Sequence, residues 1–184
     1  MPFSQKETEA VDLYLIRHAD ALRLGERGIT RDPDRPLSEQ GMGQAKALGL
    51  ALPRRNVKLD LVLTSPLLRA RQTAEEMLRH WSLPAPELRV AEELQPDGKP
   101  KRLARFLRGL DAPAVALVGH QPDLSRYVGW LVRGKKAQID LAKAGVAAIT
   151  FPGKPFKKAG TLVWLVTPEW LGEPAASPVG SSVT

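Results

Sequence analysis

Apolar and polar positions along the chain follow two rhythms, and the switches between them mark its elements. Residues 12–16 (DLYLI) are rich in strand formers, and the polar, glycine-containing residues 22–35 that follow read as a long loop. Ser38 stands where a helix N-cap is expected, with Met42, Ala45, Leu48 and Leu52 on one helical stripe that Pro53 closes. Gly41, Gly43 and Gly49 each weaken helix preference by up to about 1 kcal/mol, so packing must hold this helix. A second strand at 59–64 (LDLVLT) leads into a helix with Ser65 as expected N-cap and Pro66 as first helical residue. Its apolar stripe is Leu67, Ala70, Ala74, Met77, Leu78 and Trp81.

Residues 87–90 (ELRV) read as a short strand and 91–100 (AEELQPDGKP) as a loop. Beyond them Leu103, Phe106, Leu107 and Leu110 recur at helical spacing. Residues 114–119 (AVALVG) are apolar without alternation, the mark of a strand covered on both faces. Asp123 reads as the cap of a helix that carries Leu124, Tyr127, Val128 and Leu131 on one side, and strands at 145–151 and 160–167 close the pattern. Strand and helix alternate four times before that closing pair, which predicts an α/β domain: a three-layer sandwich around a mainly parallel sheet. No internal repeat or long linker interrupts it. Residues 1–171 are therefore expected to form a single domain, and the Pro-, Ser- and Gly-rich residues 172–184 a disordered tail.

Composition narrows the function. A chain of 184 residues, 43% apolar and 26% charged, has the size of one globular domain with its own core. The absence of cysteine excludes disulfides, thiol nucleophiles and thiolate metal sites, and suits a reducing cytosol. The N-terminal MPFSQKETEA has no apolar signal region, and no apolar run approaches the roughly 18 residues of a membrane span. A cytoplasmic protein without membrane attachment is expected. A net charge of +7 fits nucleic acid, an acidic partner protein or a phosphorylated substrate, and does not choose among them.

Position within the fold does choose. Ligands of open α/β sheets bind beyond the carboxyl ends of the strands. Three such ends carry matched chemistry: Arg17-His18, the segment from Ser65 to Arg69, and Gly119-His120. Taken singly, His18, His120 or Arg69 would read as a hydrogen-bonded or solvated residue; their convergence is what suggests a function. Guanidinium groups grip phosphate bidentately, and a neutral histidine is a competent nucleophile toward phosphorus whose free lone pair nearby arginines favour. His80 and Arg71 lie outside this pattern and read as structural or solvent-exposed. Arg23, Arg27, Arg31, Asp32 and Asp34 read as a solvated rim.

The stretches LYLIRHADA, RPLSEQGMGQAKALG, LTSPLLRARQTAE and ALVGHQPDLS, in this order, resemble the histidine phosphatase superfamily. Within it they resemble the small SixA-type phosphohistidine phosphatases, over residues 12–166. The resemblance implies a phosphoglycerate-mutase-like sheet of about six strands, one of them antiparallel. It implies that His18 becomes transiently phosphorylated, Arg17 and Arg69 hold the phosphoryl oxygens, and His120 stabilises the transferring group, so that all four bind phosphate. No cofactor and no metal are implied.

Two departures qualify it. Ala19 replaces the usual glycine, and Pro96 falls about where mutase-like members carry a proton-donating glutamate, leaving Asp20, Glu92, Glu93 and Asp97 as candidate acids. An imidazole leaves more readily than an alkoxide, so the missing acid favours phosphohistidine and disfavours a sugar-phosphate mutase. No insertion is long enough for a lid, and an open site suits a phosphohistidine-carrying protein, which the basic rim would steer inward. Two alternatives stand beside this: a broad-specificity phosphomonoesterase, and a non-catalytic basic domain that binds anions or nucleic acid. The basic residues lack interleaved aromatics for base stacking, so no nucleic-acid partner is expected.

Overall fold

The computed structural model describes residues 10–132 and 138–171. Six strands, β1 (Val11–Arg17), β2 (Leu61–Thr64), β3 (Glu87–Val90), β4 (Ala114–Gly119), β5 (Val146–Phe151) and β6 (Thr161–Val166), form one sheet in the order β3-β2-β4-β1-β5-β6. β1, β2, β3 and β4 pair in parallel, while β5 runs antiparallel to both of its neighbours. β5 is thus the one reversed strand of the sheet, and the family resemblance implies one such strand without saying which. The unalternating β4 lies at the centre, covered on both faces.

Pleating sends successive side chains of the central strands into two cores. Leu13, Leu15, Leu61, Leu63, Val115 and Leu117 meet α3 (Pro100–Arg108) and α4 (Asp123–Leu131) on one face. Ile16, Val62, Ala116 and Val118 meet α1 (Glu39–Arg54) and α2 (Leu68–Arg79) on the other. These are the three layers of the sandwich. A short α5 (Pro168–Leu171), not anticipated, packs against α1. The expected disordered tail lies outside the described residues.

Helix starts differ from the sequence reading. Ser38 does cap α1, accepting from the Gly41 N–H at 3.1 Å. The helix runs past Pro53 to Arg54, because a proline in the last turn deletes only one backbone donor. Met42 is 36% exposed and leaves the buried stripe to Ala45, Leu48 and Leu52. α2 begins at Leu68 rather than at Pro66, and the Ser65 hydroxyl lies 2.8 Å from His120 Nε2 while its oxygen also accepts from the Leu67 N–H at 3.4 Å. Pro122 occupies the cap position of α4, and the Asp123 carboxylate accepts from the Asp97 N–H at 2.8 Å.

Candidate functional site

Strand register assembles the site. Arg17 pairs with Gly119 at the matched ends of β1 and β4, and the His18 N–H donates to the Gly119 carbonyl at 2.9 Å. The two chains therefore leave the sheet side by side, and the His18 and His120 rings come to 5.2 Å between centroids. α2 brings Arg69 to the same place, where its Nε donates to His18 Nε2 at 3.3 Å. The loop after β1 is tied to this helix through Thr73, whose Oγ1 accepts from the Ala19 N–H at 3.0 Å and donates to the Arg69 carbonyl at 2.7 Å. Ala19 is fully buried there. Arg17 is half-buried, its Nη1 donating to the Leu141 carbonyl at 3.0 Å and its Nε buried without a partner. All four expected residues thus come together beyond the ends of β1 and β4.

The hydrogen bonds of His18 settle which nitrogen is free. Nδ1 lies 2.8 Å from the Ala19 carbonyl, which can only accept, so Nδ1 carries the hydrogen and Nε2 presents its lone pair toward Arg69. His18 is 8% exposed. Burial pushes its pKa down to about 4, with Arg69, Arg17 and Arg35 acting the same way and the Ala19 carbonyl opposing them. His120, 3% exposed, lies with Nε2 at 2.8 Å from Ser65 Oγ. Burial, then His18 and Arg69, lower its pKa to about 3, against a small opposing pull from Asp32. Both rings are neutral around pH 7.

Asp32 is the residue of this site that sequence reasoning places wrongly. Its side chain is 46% exposed, as a rim residue's would be, yet it accepts from Arg69 Nη2 at 3.1 Å through its carboxylate and from Nη1 at 2.9 Å through its carbonyl. Its other carboxylate oxygen accepts from Arg35 Nη1 at 3.0 Å. Burial would raise the Asp32 pKa, but the hydrogen bonds and charges of Arg35 and Arg69 win and hold it below the usual carboxylate range. An anion thus already rests on the guanidinium that the sequence assigns to a phosphoryl group. Ser65 and Thr73, both fully buried, are further residues read from sequence only as helix or strand positions.

Of the four candidate acids, Asp20 and Glu93 are held in ion pairs. Asp20 pairs with Lys143 and accepts from the Ser38 hydroxyl, which together outweigh burial and keep it ionised. Glu93 pairs with Arg102 at 3.3 Å. Glu92, Glu93 and Asp97 line an outer basin of about 620 Å³, and Glu93 also borders a smaller cavity that His120 lines. His80 bonds Glu76 one helical turn away, and Arg71 is exposed, as the sequence reading has them.

Chemically, the crevice offers a neutral imidazole lone pair, a second imidazole and the positive charge of Arg17, Arg35 and Arg69, a setting matched to a phosphoryl group. Among the described residues, no group of three or more His, Cys, Asp or Glu side chains is placed to hold a metal ion. Nor is any described helix long and apolar enough to cross a membrane.

Known proteins share this arrangement of chain. The family model described as histidine phosphatase superfamily (branch 1) matches residues 13–95. An uncharacterized protein of Picosynechococcus sp. is 34% identical over 171 residues, covering 88% of this chain and 99% of that one. The phosphohistidine phosphatase SixA of Escherichia coli is 28% identical over 161 residues, covering 86% of this chain and 94% of that one. A solved structure of the protein histidine phosphatase SixA complexed with tungstate superposes with a TM-score of 0.75 at 26% identity. It covers 88% of this chain and 100% of the other.

Proposed function

Because the chain belongs to the histidine phosphatase superfamily, in its SixA-type branch, and is a phosphatase, we propose that it dephosphorylates phosphohistidine on a protein through a covalent intermediate on His18. The observation that carries this reading is the pair of contacts on His18. A carbonyl fixes the hydrogen on Nδ1, and the opposite nitrogen faces a guanidinium.

His18 Nε2 attacks phosphorus while the bond from phosphorus to the substrate imidazole breaks. Arg17 and Arg69 hold the equatorial oxygens, Asp32 giving up its place on the Arg69 guanidinium to the incoming anion. His120 donates through Nε2 to the transferring group, and water then hydrolyses the phosphohistidine to restore His18. No metal enters these steps. A phosphohistidine substrate suits this site, since an imidazole leaving group demands little of an acid and the carboxyl groups of Asp20, Asp32 and Glu93 are tied in ion pairs. The E. coli relative's name points the same way.

Replacing His18 by alanine should lower phosphate release at least about 1,000-fold while the unfolding midpoint holds, and undiminished release would remove His18 as nucleophile. With the unaltered protein, a phosphohistidine peptide should surpass p-nitrophenyl phosphate in kcat/KM. The reverse order would indicate a broad phosphomonoesterase.

A further inference from the structure

His120 uses only one of its ring nitrogens. Nε2 lies at Ser65 Oγ, whereas Nδ1 is buried without a hydrogen-bond partner. Tyr127, on the buried face of α4, is 2% exposed, and its hydroxyl is also buried and unpartnered. Stacking on Trp130, with ring centroids 5.8 Å apart, holds the tyrosine in place. His120 and Tyr127 line the same small cavity, with Glu93, Leu94, Asp123 and Leu124 among its other walls. The cavity has about 20 Å³ of room for water, and one water needs roughly 10–15 Å³ on that measure. Buried polar groups in native proteins find partners, and a single water can serve as donor to one and acceptor from the other.

We propose that this cavity is a water site bridging His120 Nδ1 and Tyr127 Oη, through which Tyr127 positions His120 as proton donor to the leaving group. This rests on the phosphatase reading above. A neutral imidazole releases its Nε2 proton readily only if another reaches Nδ1 at the same time. In the first step the leaving atom takes the Nε2 proton as its bond to phosphorus breaks, and the cavity water passes a proton to Nδ1. Solvent restores that proton from the outer basin, whose walls share Glu93, Gln95, Gly98 and Lys99 with the cavity. His120 now has its lone pair on Nε2. In the second step that lone pair accepts the proton of the attacking water, and Nδ1 returns its own to the cavity. The relay closes with atoms and charge balanced, and it gives the leaving group a proton from a ring inside the site itself.

Two measurements test it. A crystal structure of the unaltered protein should show a water within hydrogen-bond distance of both Nδ1 and Oη; a dry cavity overturns the proposal, whatever the activity. In Tyr127→Phe, turnover of phenyl phosphate, whose phenolate is a poor leaving group, should fall about 10-fold, while p-nitrophenyl phosphate, which needs little acid, stays within about 2-fold. Equal losses on both esters, no loss on either, or no turnover of phenyl phosphate by the unaltered protein overturns the relay. Phosphorylation of His18 is read separately, so failure here is distinct from failure of the phosphohistidine mechanism.

Discussion

Two imidazoles 5.2 Å apart, buried among arginines, are both held in the neutral form at neutral pH. Followed by NMR, the ring resonances of His18 and His120 should show no protonation near 6.5 and should titrate only around pH 4 and 3. A midpoint near 6.5 for either would contradict the described burial. The same shifts set a sign for stability. Between pH 6.5 and about 4 the unfolded chain binds protons that the folded chain refuses, so these groups lower stability as pH falls through that window and are silent above it. Arg17, His18, Arg69 and His120 are legible in the sequence because each stands at the end of a strand or the start of a helix, where the architecture dictates location. Asp32 is not. Its loop has no periodicity, and nothing local announces a contact with Arg69, 37 residues away. Ser65 misleads for a related reason: a serine before a proline looks like a cap whether or not its hydroxyl is used elsewhere.

Among the elements, α1 shows what a pattern can and cannot say. Its glycines signal from sequence that packing must hold it, but not which neighbours do so. A Cβ at Gly41 would lie 1.9 Å from the Asp20 carbonyl, so the helix start presses directly on the loop that carries His18. At Gly49 a Cβ would lie 2.1 Å from the Met77 carbonyl, where α1 and α2 touch backbone to backbone. Gly43 has nothing within 4 Å. Gly49→Ala should therefore destabilise by about 1–3 kcal/mol in urea unfolding despite its better helix preference. Gly43→Ala should stabilise by up to about 1 kcal/mol. Equal effects of the two substitutions would contradict the close approach of the helices.

For the whole molecule, the alternation of strand and helix is enough to foresee a parallel sheet with its chemistry at one edge, because the strand-end rule does not depend on details of packing. The strand order, which sets β1 beside β4 and hence His18 beside His120, requires long-range pairing that no local signal encodes. The net charge of +7 also acts at this scale. If it steers an acidic phosphoprotein, kcat/KM for that substrate should fall about 10-fold as ionic strength rises from about 0.05 to about 0.5 M, with little change for a small aryl phosphate. Parallel responses would argue against steering. The proposed reaction turns on a phosphorus–nitrogen bond to one ring. Rapid quenching of the protein during turnover of a radiolabelled phosphohistidine substrate, followed by peptide mapping, should find acid-labile, base-stable label on His18. Label on another residue, or turnover with no protein-bound label, would contradict it.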